Sequence, residues 1–311
     1  MKFLKISYLL FFCLALEAVI VDTGHANVSL VKFESLEGDR SKTLLGIKMD
    51  MQENWHTYWK NPGDSGGPIK VKWSHDNNIS ISKIYWPTPT LIPYEPLMTY
   101  GYKNFVIFPF EITNSNNKNS YIEANIDFLI CDDICVPEKA LIKTNLDEIN
   151  SDPSLNDWFL KVPDQILPVK ASVDSEYINI RFSSPIDVSS AIFFVDEQDI
   201  VEHAENQKLS KEENNYLLSI KKVDYLESFE NLSGVLSINN NESFIIDAEI
   251  ENITQNSLNI SFFQALIFAF VGGLILNLMP CVFPIISLKV LSFVSMSNQS
   301  PSKIRAHALS F

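Results

Sequence analysis

Two cysteines four positions apart, Cys131 and Cys135, have the type and spacing to do chemistry. Residues four apart in an extended strand are separated by about 13 Å, at roughly 3.3 Å per residue. A disulfide needs Cα atoms within about 7 Å, so the pair can bond only if the chain reverses between them. Asp132-Asp133-Ile134 would serve as a three-residue hairpin loop, and a helical turn is the alternative. The apolar strand pattern on either side favours the hairpin.

The short loop between the two cysteines favours a redox-active disulfide over a structural one. Closing a short loop adds little stability, because loop-closure entropy grows with loop length, and a strained bond is easier to reduce. Asp132 and Asp133 disfavour the thiolate form of the neighbouring cysteines. This is consistent with thiols that react with a specific partner and not indiscriminately. Two alternatives stay open: a structural disulfide, or a Cu(I) or Zn(II) site at Cys131 and Cys135, although no histidine lies nearby in sequence. The redox interpretation needs no organic cofactor.

A third cysteine, Cys281, lies between Pro280 and Pro284 inside the apolar run 260–296. Each proline lacks an amide proton and clashes with the preceding turn, so a helix should break here. Broken backbone at membrane depth is tolerated only where protein or a water-filled cavity covers it. The pattern predicts a thiol site at a proline-broken transmembrane helix, and a kinked helix with a bystander cysteine is the alternative.

The elements that must position Cys131 and Cys135 are short strands. Residues 27–150 contain six candidates bounded by turn signals, at 28–34, 45–51, 69–73, 79–86, 105–112 and 121–130, and Asn61–Pro68 reads as a loop. Many short strands at this spacing predict an immunoglobulin-like β-sandwich, here a redox domain that carries the CxxxC motif.

A second, smaller β-sandwich is predicted over 151–250, with a boundary near Asn150–Ser154. Five further strand candidates fall at 177–182, 191–195, 216–220, 234–238 and 243–250. This segment contains no cysteine, so we expect a structural or spacer role. The predicted fold class is therefore mainly β, with tandem immunoglobulin-like sandwiches followed by a proline-broken transmembrane helix.

The two ends of the chain predict export and membrane insertion. Lys2 and Lys5 precede an apolar core, which is typical of a signal peptide over 1–26 that is cleaved after Ala26; an uncleaved anchor is the alternative. A polar linker (251–259) leads to the first transmembrane segment (260–298) and the start of a cytoplasmic loop (299–311). Basic residues such as Lys303 and Arg305 mark the cytoplasmic side. We expect an inner-membrane protein with periplasmic N-terminal domains, continuing beyond these residues.

The formal net charge of −14 argues against nucleic acid as a partner. The apolar run 260–296 makes the lipid bilayer an expected partner.

Three motifs resemble the DsbD family of transmembrane thiol:disulfide interchange proteins, in the branch that includes ScsB. Asn54–Gly66 is similar to the periplasmic N-terminal domain, Phe128–Glu138 to its redox hairpin, and Asn277–Leu288 to the first segment of the electron-conducting membrane domain. The resemblance implies a relay in which a thioredoxin-like domain or protein is the electron donor. Periplasmic proteins that carry disulfides are the implied acceptors, with cytochrome c maturation or copper-stress proteins among them.

The resemblance also implies residue roles. Cys131 and Cys135 would deliver electrons as a protein-disulfide reductase, and Cys281 would be half of a membrane pair. Met98–Tyr102 is similar to a cap loop over the delivering pair, with Tyr100 and Tyr102 as supporting residues. The aromatic cluster around His56 is expected to be structural, with a proton-donor role for His56 as the alternative. The competing function is a membrane-anchored β-sandwich module that binds a metal or a client protein without redox activity.

Overall fold

The computed structural model describes residues 19–33, 42–114, 120–213, 215–226, 229–253 and 262–278. The chain divides into two compact units, Met1–Thr254 and Gln255–Phe311. The first unit contains two β-sandwiches, so the predicted mainly β, tandem immunoglobulin-like fold is confirmed for this part of the chain.

The first sandwich is built from two sheets. Its strands are β1 (Ile20–Asp22), β2 (Ala26–Lys32), β3 (Lys42–Met51), β4 (His56–Gly63), β5 (Lys70–His75), β6 (Ile79–Ile81), β7 (Thr90–Tyr94), β8 (Leu97–Lys103), β9 (Phe105–Asn114), β10 (Tyr121–Cys131) and β11 (Cys135–Asn145). Within the described ranges, one sheet has the order β1-β2-β3-β9-β6 and the other β11-β10-β4-β8-β7, with β5 paired to β10. Strands β10 and β4, which reach the cysteine pair, are thus interior strands of the second sheet.

Strand β10 shows why the sequence forms this sandwich. Its alternate residues Ile122, Ala124, Ile126, Phe128 and Ile130 are all buried, while the residues between them are more exposed. This period of two places every second side chain on the core face of a sheet. Full burial of a large apolar side chain contributes about 1.5–3 kcal/mol, so the alternation fixes which face of β10 is inward and holds its end in a defined register.

The second sandwich follows a short helical connection. A 3-10 turn (Pro153–Leu155) runs into the short helix α1 (Asn156–Phe159). The strands that follow are β12 (Val169–Val173), β13 (Tyr177–Phe182), β14 (Ala191–Val195), β15 (Lys208–Glu212), β16 (Asn215–Lys221), β17 (Asn231–Ile238) and β18 (Glu242–Ile253). In the part of the chain that the structure describes, they form one curled sheet in the order β14-β17-β18-β12-β13-β16-β15. This sheet encloses a hydrophobic core of its own.

The two sandwiches pack against each other through the rear of the sheet that carries the cysteine pair. Phe194 of β14 contacts Trp59 and Tyr100, with ring centroids 6.2 and 5.1 Å apart. The side-chain amide of Asn61 donates to the carbonyls of Val195 and Glu197, at 2.9 Å in both cases. Strand β4 therefore contacts the second sandwich through Trp59 and Asn61. These residues lie a few positions after His56, the residue of β4 that is opposite Cys131.

Strand β4 differs from its sequence prediction. We predicted Asn61–Pro68 as a loop, but β4 extends through Gly63, and the loop begins after it. The pairing of β4 with β8 shifts register between Tyr58 and Gly63. This irregularity accommodates Pro62 in a strand, because proline within sheets is confined to edges, strand starts and bulges.

Two further regions carry strands that the sequence patterns did not indicate. The hairpin of β7 and β8, and strands β12 and β15 of the second sandwich, are additional. The signal peptide predicted over 1–26 overlaps two strands, because Ile20–Asp22 form β1 and Ala26 is the first residue of β2.

The second unit contains one described helix, α2 (Phe262–Leu278), of 17 residues. No helix among the described residues is long and apolar enough to cross a membrane. Pro280, Cys281 and Pro284, and most of the predicted transmembrane segment, lie outside the described residues.

Candidate redox site

The candidate site is the hairpin that joins β10 to β11. Cys131 and Cys135 are directly opposite each other in the antiparallel register, with Asp132-Asp133-Ile134 as the loop. Their sulfur atoms are bonded, and their Cα atoms lie 4.1 Å apart. The predicted three-residue hairpin is confirmed. Cys131 is 1% exposed, whereas Cys135 lies on the exposed side of the turn, so an external partner meets Cys135 first.

A buried tyrosine from β4 contacts both sulfur atoms. The hydroxyl of Tyr58 donates to Cys131 Sγ at 2.8 Å, and it lies 3.4 Å from Cys135 Sγ. Burial raises the pKa of Tyr58, so the hydroxyl keeps its proton at neutral pH and remains a donor. A hydrogen bond to the charged form of a group favours that form. Tyr58 can therefore stabilise a thiolate when the disulfide is reduced.

The loop after β4 holds Tyr58 in this position. Gly66 has φ +101°, and a Cβ atom there would lie 2.2 Å from Tyr58 Cε1. Only glycine adopts this backbone conformation without strain, and only glycine leaves room for the tyrosine ring. The Gly/Pro-rich segment, read from sequence as a turn, thus positions a side chain of the site.

His56 lies beside the pair on the same face of the sheet. It is directly opposite Cys131 on one side and Lys103 on the other. Its ring meets that of Tyr58 edge-on, with centroids 5.3 Å apart. Burial lowers the pKa of His56, Lys103 lowers it further, and Asp132 opposes the shift. The lowered pKa favours the neutral imidazole of His56 at neutral pH.

The predicted supporting residues Tyr100 and Tyr102 lie on the opposite face of this sheet. Side chains alternate between faces along a strand, and directly opposed residues share a face. Tyr102 is opposite Thr57, whereas Gly101 is opposite Tyr58. Consistent with this, the hydroxyl of Tyr100 bonds His203 Nδ1 at 2.9 Å, and that of Tyr102 donates to the carbonyl of Pro87 at 2.7 Å. Tyr100 and Tyr102 therefore pack on the face of β8 that is turned away from the cysteines.

The tip of the β7–β8 hairpin makes the contact with the redox hairpin. The hydroxyl of Tyr94 donates to the carbonyl of Asp133 at 3.3 Å. The sequence predicts a cap loop over Met98–Tyr102, whereas this contact comes from Tyr94, on the other strand of the same hairpin. The sequence signal that could have located it is the pair Pro93 and Pro96 around Tyr94, which marks a hairpin tip.

The structure brings together Cys131, Cys135 and His56 from the sequence-predicted set. It adds Tyr58 and Gly66, which the sequence pattern indicates only as parts of an aromatic cluster and a loop. Within the described segments, no group of three or more His, Cys, Asp or Glu side chains is placed to hold a metal ion.

A β-sandwich with a short-loop disulfide on a surface hairpin, contacted by a buried tyrosine hydroxyl, defines a domain of the thiol–disulfide exchange class. Residues 27–146 match the family described as "Thiol:disulfide interchange protein DsbD, N-terminal". This domain is therefore similar to the N-terminal domain of the DsbD family, and the resemblance predicted from its motifs is confirmed for these residues.

A solved structure resembles the two sandwiches together. The crystal structure of the N-terminal periplasmic domain of ScsB from Proteus mirabilis superposes with a TM-score of 0.59 at 17% sequence identity. The match covers 75% of this chain and 97% of that chain. At this identity the likeness concerns the fold, and it extends the similarity beyond residues 27–146. No curated protein matches the sequence.

Proposed function

We propose that the chain is the periplasmic delivery part of a transmembrane thiol:disulfide interchange protein. In this function the reduced Cys131–Cys135 pair acts as a protein-disulfide reductase toward periplasmic proteins. The observation that carries the proposal is the pairing of an exposed Cys135 with a buried Cys131 whose sulfur accepts a hydrogen bond from Tyr58. The family match over residues 27–146 supports the same class of chemistry.

The exchange starts with Cys135 and ends with Cys131. The thiolate of Cys135 attacks one sulfur of the acceptor disulfide, forming a mixed disulfide and releasing the other acceptor sulfur as a thiolate. The thiolate of Cys131 then attacks Cys135 Sγ, which re-forms the Cys131–Cys135 disulfide and releases the second acceptor thiolate. Two electrons pass to the acceptor, whose thiolates take up the two protons that the cysteines lose.

Tyr58 and His56 assign the two cysteines different tasks. The Tyr58 hydroxyl is closer to Cys131 Sγ than to Cys135 Sγ, so it favours the thiolate that resolves the mixed disulfide. His56 lies opposite Cys131 on the neighbouring strand, and its lowered pKa favours the neutral imidazole. We assign this imidazole the role of general base for the Cys131 thiol.

The pair must then be reduced again. The donor in this proposal is the dithiol of a thioredoxin-like domain or protein, which is oxidised as Cys131–Cys135 is reduced. Cys281, flanked by Pro280 and Pro284, would belong to the membrane cysteine pair that feeds this donor. The protein would reside in the inner membrane with both β-sandwiches in the periplasm.

Stopped-flow reduction of the exported chain by a thioredoxin-like dithiol tests the proposal. We expect second-order reduction of the Cys131–Cys135 disulfide, followed by reoxidation when a disulfide-bearing acceptor is added. Cys135→Ala should abolish mixed-disulfide formation, whereas Cys131→Ala should trap it as a stable adduct. A disulfide that resists the dithiol, together with stoichiometric copper or zinc binding by the reduced chain, would favour the binding-module alternative.

A further inference from the structure

A single buried carboxylate lies behind the redox hairpin. Among the residues that the structure describes, Glu138 is the one Asp, Glu, Lys or Arg that is buried, at 7% exposure. It lies on β11, three residues beyond Cys135. Burying a carboxylate is costly unless it is paired and hydrogen-bonded. The partners of Glu138 are therefore a requirement of this part of the fold.

Both side-chain partners of Glu138 come from the first residues of the described chain. The Thr23 hydroxyl bonds Glu138 Oε2, and His25 Nδ1 lies 2.5 Å from Oε1. Gly24, between them, has φ +110°, and a Cβ there would lie 3.4 Å from Glu138 Oε1. The turn at Thr23–His25 thus wraps around the carboxylate and occupies both of its oxygens.

The same segment is attached to the sandwich at three other points. Strand β1 pairs with β2 from Ile20 opposite Ser29 to Asp22 opposite Asn27. The side chain of Gln52 donates to the carbonyl of Gly24 at 2.8 Å, and its backbone amide donates to that of His25 at 2.9 Å. Backbone pairing, a side-chain clamp and the buried carboxylate all tie residues 20–25 to the folded domain.

His25 also links this segment to the strand that faces the cysteines. Its ring stacks on Trp55, with centroids 3.9 Å apart. Trp55 immediately precedes His56, the residue opposite Cys131. The turn therefore contacts two of the three strands around the pair, β11 through Glu138 and the start of β4 through Trp55.

We infer that the mature protein begins at or before Val19, and that residues 20–25 are a structural strap of the redox domain. Cleavage after Ala26, the site predicted from the small residues there, would discard Thr23 and His25. The sequence offers small residues upstream at Cys13 and Ala15, which fit the −3 and −1 positions of a signal peptidase site. The peptidase would hydrolyse the bond after Ala15 with water. This inference rests on the proposed export.

Mass spectrometry of the exported chain tests where it begins. The full chain is produced with its own leader in a bacterial host, the membrane and periplasmic fractions are isolated, and the N-terminal peptide is sequenced. We expect a first residue at or before Val19. A chain beginning at Asn27 overturns the inference while leaving export intact. A chain that keeps Met1 and remains in the cytoplasm overturns the export proposal, and with it the basis of the inference.

Substitutions in the strap provide a second readout. We expect His25→Ala to lower the Tm of the exported chain by about 4 °C or more, because the Glu138 carboxylate loses a partner. Glu138→Gln should reduce the effect of His25→Ala, since the two residues interact directly. His75→Ala, at an exposed position of β5, is the matched control. A Tm unchanged by His25→Ala would contradict the structural role proposed for residues 20–25.

Discussion

Tyr58 and Cys131 meet across two neighbouring strands, with the phenol oxygen 2.8 Å from the sulfur although the residues are 73 positions apart in sequence. The hydroxyl stays protonated because burial raises the pKa of Tyr58. A hydrogen bond to a charged acceptor contributes about 1.5–3 kcal/mol. The hydrogen bond therefore favours a thiolate at the buried sulfur of the reduced pair, although Asp132 and Asp133 lie in the adjoining loop.

Replacing Tyr58 by phenylalanine should make the Cys131 thiolate harder to form. Loss of about 1.4 kcal/mol of thiolate stabilisation moves a thiol titration by roughly one pH unit and lowers the rate of resolution about tenfold at neutral pH. The measurement is the pH dependence of iodoacetamide alkylation at Cys131 in a Cys135→Ala background. Tyr177→Phe, in the second sandwich, is the control. An alkylation profile unchanged by Tyr58→Phe would contradict the role of the hydroxyl.

Two adjacent glycines offer a matched test of the loop that holds Tyr58. Gly66→Ala should cost about 1–3 kcal/mol and slow exchange, because the new methyl group would overlap the Tyr58 ring at a backbone conformation with positive φ. At Gly67 a Cβ would meet Leu129 Cδ1 at an ordinary 3.5 Å, so Gly67→Ala should leave both properties nearly unchanged. Urea unfolding and stopped-flow exchange measure the difference. Equal effects of the two substitutions would show that the loop does not act through Tyr58.

Much of the fold follows from alternation that is visible in the sequence. The strand pattern of β10 and the geometric limit on a disulfide between Cys131 and Cys135 together predict the hairpin, because a half-buried strand has a period of two and a short loop must reverse it. The predictions succeed where the determining interactions are local. The second sandwich follows in the same way from strands such as β13 and β14.

The remaining features depend on contacts between residues distant in sequence. No local pattern distinguishes Tyr58, which reaches the sulfur atoms, from Tyr100, which points to the other face; the register of β4 against β8 decides this. Strand β4 was read in part as a loop because Pro62 and Gly63 are turn residues, yet a bulge admits them. Residues 20–25 carry a signal-like composition, while their partner Glu138 lies more than a hundred positions away.

Acidic pH should destabilise the first sandwich through His56. Its pKa is lowered in the folded state by burial and by Lys103, with Asp132 opposing. The unfolded chain therefore binds a proton first, so this contribution is fully present above about pH 6.5 and is lost as pH falls toward the folded pKa, with a slope of up to about 1.36 kcal/mol per pH unit. Thermal unfolding from pH 7.5 to 5 should show a flatter dependence for His56→Gln. Burial also lowers the pKa of His203, so a residual slope remains in this variant. A slope that is unchanged in His56→Gln would refute the assignment to His56.

The contact between the two sandwiches should depend more on Asn61 than on its charged neighbour Lys60. Asn61 is 1% exposed and satisfies two backbone carbonyls of the second sandwich, so Asn61→Ala should cost about 1–3 kcal/mol by leaving them unpaired. The Lys60–Asp196 ion pair, at 2.7 Å, has side chains 36% and 28% exposed, and Lys60→Ala should cost less than about 1 kcal/mol. Urea unfolding of both variants, with limited proteolysis to detect separation of the sandwiches, measures the difference. A larger loss for Lys60→Ala would mean that charge, and not the buried amide, holds the second sandwich against β4.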